Sequence, residues 1–465
     1  MATSEPDIKT IGELRASGHE LRDVKAEIRA NLLTRLRSGD RTFDGIVGFD
    51  DTVVPALERA LLAGHDVVLL GERGQGKTRL MRTLVTLLDE WTPVIDGSPL
   101  GEHPYAPLTR ASRAMIEEHG DELPIAWRHR DERYTEKLAT PDTSVGDLIG
   151  DIDPVKLAEG HSLGDPETIH YGLLPRSNRG IFGINELPDL AERIQVGLFN
   201  VLEERDLQVR GYNLRLPLDV LVVASANPED YTNRGRIITP LKDRFGAEIR
   251  THYLEDLDDE VALIAQEAEL VAAVPRHLIE VTARLAYEMR GSNQIDQRSG
   301  VSARFAIAAA EGAAASALRR AALTGEVQPV ARVGDLPEIL PTLLGKVEFE
   351  MGEEGREDEV LWHLLRVAVA DTFRDRLATI DLAAFVDHFA EGGVVETGAL
   401  VPAADLLEQM GSVHGLAAVL SGLGVEEDTV SPGQAAAAIE FVLEGLYLTR
   451  RLSKDEVDGR AVYGT

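Results

Sequence analysis

The octapeptide Gly71-Glu72-Arg73-Gly74-Gln75-Gly76-Lys77-Thr78 constrains this chain more than any other feature. It fits the pattern G-x-x-x-x-G-K-[ST], and its neighbours supply the context the pattern needs. Asp66 to Leu70 reads as a short buried strand. Leu80, Met81, Leu84, Leu87 and Leu88 then recur at helical spacing. Glycines let such a loop wrap closely around phosphate, with backbone N–H groups turned inward and the following helix N-terminus adding positive potential. A lysine at position 77 reaches the β- and γ-phosphates, and the Thr78 hydroxyl can ligate Mg²⁺. The expected ligand is ATP with Mg²⁺.

Three further runs read as strands: Ile181 to Ile184, Val220 to Ala226, and Ala247 to Tyr253. Apolar strands separated by helical stretches predict a parallel sheet covered on both faces, an α/β fold. The first run ends in Asn185-Glu186, the layout in which acidic residues at a strand end hold the metal's water shell and polarise the attacking water. Here an asparagine stands where the first acid is expected. It keeps an oxygen but lacks the charge, which predicts weaker Mg²⁺ binding and slow turnover. The second run leads into Asn227-Pro228, where Asn227 can hold the lytic water together with Glu186. The same dipeptide is also a plain turn initiator.

Composition narrows the function. The 465 residues carry 79 acidic against 48 basic side chains, a formal charge of −31. Such a field repels nucleic acid and anionic membrane surfaces, and no long Lys/Arg cluster offsets it. Absence of cysteine excludes disulfides and thiolate metal sites and fits a cytoplasmic protein. No uncharged apolar run approaches the roughly 20 residues a membrane span needs. The longest, Ala435 to Leu448, is interrupted by Glu440 and Glu444.

Organisation follows from the patterning. Leu21, Val24, Ile28, Leu32 and Leu36 fall on one helical face, so residues 1–44 are expected to be a helical arm. Residues 45–255 form the nucleotide-binding core, with 96–131 an irregular insertion. The Ala- and Leu-rich stretch 256–345 is expected to be all-helical. Gly345 to Glu359 reads as a linker or an exposed hairpin, and 346–465 as a helical C-terminal domain.

Together these residues resemble the AAA+ ATPases of the magnesium-chelatase I-subunit and MoxR group, over about Ile46 to Arg304. Ile46-Val47-Gly48-Phe49 is similar to the segment lining the adenine pocket, with Val47 and Gly48 as binding residues. Asp147-Leu148-Ile149-Gly150 and Tyr171-Gly172-Leu173-Leu174-Pro175 resemble the two sides of the family's hairpin insert on helix 2. Glu203 to Pro217 resembles a second hairpin. Leu241-Lys242-Asp243-Arg244-Phe245 is similar to the segment whose arginine reaches a neighbouring subunit's ATP, a role that falls on Arg244; the alternative for Arg244 is an ion pair with Asp243. Val301-Ser302-Ala303-Arg304 resembles the start of the helix whose arginine contacts the γ-phosphate from the lid, with Arg298 a nearby competitor. The resemblance implies an AAA+ αβα core with a helix-2 insert, a helical lid, ATP hydrolysis in a ring of six, and a separate partner carrying a von Willebrand A-type domain. The remodelled object can be a porphyrin undergoing metal insertion or a protein. A nucleotide-gated scaffold with little hydrolysis is a further reading, suggested by Asn185. A nucleic acid motor, which shares the insert, is opposed by the charge.

Overall fold

A computed structural model describes residues 4–158, 168–204, 207–209, 212–214, 216–228, 236–410, 416–425, 430–457 and 460–464. The chain divides into two compact units, Met1–His252 and Tyr253–Thr465.

The first unit is built on five parallel strands: β1 (Val67–Leu70), β2 (Tyr134–Leu138), β3 (Gly180–Asn185), β4 (Val220–Ala226) and β5 (Ala247–Arg250). Their order across the sheet is β5-β1-β4-β3-β2. Every neighbouring pair is parallel, and the register sets Leu70 opposite Ala226, Ala224 opposite Ile184, and Leu138 opposite Asn185. β1, β3 and β4 are buried along their whole length, as a sheet covered on both faces requires. β2, Tyr-Thr-Glu-Lys-Leu, was not expected. It lies at the sheet's edge and is only half-buried, so its sequence is polar and gives no strand signal.

One helix, Val24–Ser38, together with Arg22 just before it, meets the start of four strands. The residue immediately before each strand makes the contact. Lys25 Nζ pairs with Asp66 at 2.9 Å, before β1. Glu27 takes both ends of the Arg133 guanidinium, before β2, at 2.7 and 2.8 Å. Arg179, before β3, donates to the Arg22 carbonyl. Asp219, before β4, accepts the Val24 N–H at 3.0 Å and pairs with Arg179 at 2.8 Å. The segment expected to be a helical arm is therefore packed within the first unit. Val24, Ile28 and Leu32 are buried as the spacing predicts, but Leu21 and Leu36 are exposed. The helix face also buries Glu27, whose charge Arg133 compensates.

Residues 96–131 are irregular only as far as Thr109. Trp91–Ile95 and Ile125–His129 pair antiparallel, with the helix Arg110–His119 between them. Ile11, Leu14, Ile95, Leu123 and Ile125 form a small separate core, which includes the short helix Ile11–Ala16. So few apolar residues, spread between charged ones, leave no periodicity to read. The helix-2 hairpin is present: Gly150–Ile152 pairs with Ile169–Tyr171, while 159–167 lie outside the described residues. A second hairpin pairs Leu207–Val209 with Tyr212–Leu214. The helix after the loop is shorter than its leucines suggest. It runs Lys77–Thr83 and tightens into a 3₁₀ turn, Leu84–Leu87.

The second unit is mainly helical around one continuous core from Val261 to Tyr463. The boundary expected at 345/346 falls inside that core. The segment read as a linker is tied down: Asp296 N–H donates to Glu348 O and Glu350 N–H to Gln294 O. Helix Ala303–Thr324 buries Ala306, Ala309, Ala310, Ala313 and Ala317 along one stripe. Glu440, which interrupts the most apolar stretch, is buried in helix Pro432–Leu448 and accepts the Gly334 N–H at 2.8 Å. Val395–Thr397, Ser453–Val457 and Arg460–Gly464 form a three-stranded antiparallel sheet, so the C-terminal part is not wholly helical. Among the described residues no helix is long and apolar enough to cross a membrane.

Removing one partner of a buried ion pair leaves the other charge uncompensated, at a cost of about 3–5 kcal/mol. Glu27→Ala is expected to lower the stability of the first unit by about that amount, read from urea unfolding. A loss under about 1 kcal/mol would mean the pair does not clamp the sheet.

Candidate functional site

The carboxyl ends of β1, β3 and β4 bring the sequence motifs together. After β1 the chain turns through the loop Gly71–Gly76 into the helix that begins at Lys77. Gly74 and Gly76 take φ of 79° and 71°, a region that side chains avoid. Gly71 has no room for a side chain: an added Cβ would overlap Thr251 Oγ1 and Gln75 Oε1. Gln75 braces the loop from within. Its Oε1 accepts from Glu72 N–H at 3.0 Å and from the Thr251 hydroxyl at 2.8 Å. Arg73 is exposed at the loop's tip.

Lys77 is buried, and its ammonium donates to the carbonyls of Glu72, at 2.7 Å, and Gly71, and to Asn227 Oδ1 at 2.8 Å. The other end of the Asn227 amide donates to Glu186 Oε2 at 2.6 Å. Asn227 thus links the loop's cation to the carboxylate at the end of β3. Glu186 follows the strand in the left-handed region, φ 55°, and its N–H donates to Ser225 Oγ at 3.2 Å. A non-glycine residue held there is strained, and the strain turns the side chain out of the strand's alternation.

Thr78 Oγ1 donates to Asn185 Oδ1 at 3.1 Å, and Ser225 Oγ donates to the same oxygen at 3.1 Å. Asn185 Nδ2 donates to Glu136 Oε1 at 2.7 Å. Glu136 belongs to the unexpected edge strand β2. It also accepts from Arg82 Nε at 2.7 Å, from Arg82 Nη2 at 2.9 Å, and from the Tyr134 hydroxyl at 3.0 Å. The Arg82 hydrogen bond, aided by those from Tyr134 and Asn185, holds the Glu136 carboxyl below the usual carboxylate range. Burial pushes the Tyr134 hydroxyl up.

The remaining expected residues are placed as follows. Val47 and Gly48 lie in the turn before helix Val53–Ala63, and Gly48 takes φ of 72°. Their neighbour Phe49 reaches the loop: its ring edge is 3.9 Å from where a Gly76 Cβ would sit, and it meets His252 edge-on at 5.1 Å. Arg244 ends the helix Thr239–Arg244. Its ion pair is with Glu203 at 2.8 Å, not with Asp243, and its guanidinium lies over the Phe199 ring. Arg304 belongs to the second unit, exposed in the first turn of Ala303–Thr324. Its competitor Arg298 is engaged by Asp296 at 2.7 Å. Sequence reasoning gave no role to Ser225, Thr251 or His252, although they lie within strand runs it had read, and missed Glu136 altogether.

A parallel sheet ordered 5-1-4-3-2, a glycine-rich loop leading from its first strand into a helix, a polar strand tip beside it and a hairpin inserted before the third strand define an AAA+ domain. Sequence comparison places that domain more closely. Over 214 residues the chain is 29% identical to the magnesium-chelatase subunit ChlI of Guillardia theta, covering 44% of this chain and 55% of that protein. Over 215 residues it is 28% identical to ChlI of Anabaena variabilis, covering 46% and 60%. The chain is homologous to the magnesium-chelatase I subunit and fits the AAA+ group that includes it. It spans a little over half the length of these curated relatives. No family model matches. A solved model of the BchI and BchD subunits of magnesium chelatase is 20% identical, covering 68% of this chain and 97% of that one, at a TM-score of 0.34.

Gln75→Ala removes the acceptor of two hydrogen bonds inside the loop. The expected cost is about 1–3 kcal/mol, seen as a lower melting temperature of the nucleotide-free protein. An unchanged melting curve would show that Gln75 does not hold the loop.

Proposed function

We propose that the chain is an ATP hydrolase of the magnesium-chelatase I-subunit kind. It works in a ring, with six subunits expected, and couples its nucleotide cycle to the remodelling of a separate partner. The observation that carries this reading is the hydrogen-bonded line Lys77–Asn227–Glu186, which sets a buried cation, a polar amide and a carboxylate side by side at the strand tips. Backbone N–H groups of Gly71–Gly76 and the Lys77 ammonium bind the β- and γ-phosphates. Glu186 takes the position of the group that polarises the attacking water, and Asn227 orients both that carboxylate and the γ-phosphate side of the site.

The donor set fits Mg²⁺. A hydroxyl and an amide oxygen, from Thr78 and Asn185, lie 3.1 Å apart, and Mg²⁺ takes hard oxygen donors, few from protein and several from water and phosphate. When bound, the ion neutralises charge on the β- and γ-oxygens. Val47 and Gly48, beside Phe49, are assigned to the base. Arg244 is assigned to a neighbouring subunit's nucleotide, for which its Glu203 pair must open; both side chains are more than a third exposed, so that pair is weak. Arg304 is assigned to the γ-phosphate from the lid. A partner with a von Willebrand A-type domain follows from the resemblance, and a cytoplasmic site of action from the absence of cysteine. The second reading, a nucleotide-gated scaffold with little hydrolysis, is favoured by Asn185 alone.

Lys77→Ala is expected to abolish ATP binding in a filter or fluorescence assay. Wild-type affinity in that variant removes the nucleotide reading. Specific ATPase activity should rise with protein concentration as subunits associate. Arg244→Ala should keep ATP binding and lose that rise. Flat specific activity down to concentrations where light scattering finds monomers would exclude a role in trans. A wild-type protein that binds ATP and releases no phosphate at any concentration would favour the scaffold.

A further inference from the structure

Asn185 stands at the position where a strand-end carboxylate would face a metal's water shell. An asparagine there has two defects. It carries no charge, and its amide has a donor end that is wrong for a cation's surroundings. The structure answers both through one neighbour. Glu136, opposite Gly183 on the adjacent strand, accepts from Asn185 Nδ2 at 2.7 Å. With a carboxylate on that side, only one amide orientation is favourable. Turning the amide over would set its oxygen against the Glu136 oxygens. The Asn185 oxygen is therefore fixed towards Thr78 and Ser225, each 3.1 Å away.

We infer that Glu136 is the positioning residue of this site: it orients the Asn185 amide towards Thr78 and supplies, one strand away, the negative charge that position 185 lacks. This rests on the nucleotide–Mg²⁺ reading above. The acid and the amide have exchanged places across a single hydrogen bond, and Glu136 acts through Asn185 rather than as a ligand. Arg82 tempers the charge. Its two hydrogen bonds to Glu136 come from a side chain 63% exposed, while Glu136 is 20% exposed, so solvent weakens the attraction of the pair. Arg82 and Glu136 should then act on the metal in opposite directions.

The test is the affinity of full-length protein for a fluorescent ADP analogue, measured in Mg²⁺ and in EDTA. The ratio of the two affinities is the Mg²⁺ enhancement. Loss of a group supporting a metal ligand costs about 10–100-fold in metal affinity. Glu136→Gln is expected to cut the enhancement by about tenfold or more and leave the EDTA affinity within about twofold. The double variant Glu136→Gln/Asn185→Asp moves the acid back across the same hydrogen bond. It should recover the enhancement to within about threefold of wild type. Arg82→Gln should raise the enhancement.

A merely structural Arg82–Glu136 strut gives a different pattern. Both single variants would then shift in the same direction, in EDTA as much as in Mg²⁺, and the double variant would not recover. That pattern, or an unchanged enhancement in Glu136→Gln, overturns the inference. Wild-type protein that binds no nucleotide in either buffer would overturn the nucleotide reading first, and this inference with it.

Discussion

The buried Glu27–Arg133 pair, with the polar contacts around it, is the constraint on which the first unit depends. A parallel sheet has strands of similar apolar composition and no hairpin turns to fix their order. Here the order is fixed at the strands' starting ends. Asp66, Arg133, Arg179 and Asp219 each stand one residue before a strand, and each is met by residues 22–27. Those contacts are directional and charged, so a strand in a wrong place or register would bury an unpaired ion. With the starts pinned, the opposite ends of β1, β3 and β4 fall where Thr78 meets Asn185 and Lys77 meets Asn227. The Arg133 carbonyl reinforces this, because at Gly180 an added Cβ would overlap it.

The polar groups at the strand tips form two connected lines rather than a scatter. One runs Lys77–Asn227–Glu186, the other Thr78–Asn185–Glu136–Arg82. Asn185 and Ser225 join adjacent strands, and Glu186 N–H closes onto Ser225. Amides occupy the middle of both lines. An amide can donate at one end and accept at the other, so each passes orientation from a charged residue to its neighbour without adding charge. This keeps rigid a region that would otherwise crowd like charges.

The loop, the three buried strands and the Asn-Glu and Asn-Pro tips were legible because their physics is local. Glycine spacing, continuous apolar runs and strand-end polar residues lie within a few positions of one another. What stayed hidden depends on distant partners. β2 is an edge strand whose alternation is polar, so Glu136 carries no signal until the sheet sets it opposite Gly183. Residues 96–131 looked irregular because their small core draws on Ile11 and Leu14 from far upstream. The small C-terminal sheet has strands of three to five residues, and its edge strand Ser453–Val457 is largely exposed and polar, so little apolar alternation marks it. The break expected at 345/346 came from a run of charge and glycine. The helices on both sides share one core, which composition along the chain does not report.

The helix that pins the sheet bears on how the chain is made. Val24 meets Asp219, 195 positions later in the sequence. A ribosome adding about 5–20 residues per second needs roughly 10–40 s to bring the second after the first. During that interval residues 22–27 have emerged without the last of the four strand starts they will meet. The segment made early thus meets the start of β1 first and is fully secured only when β4 arrives.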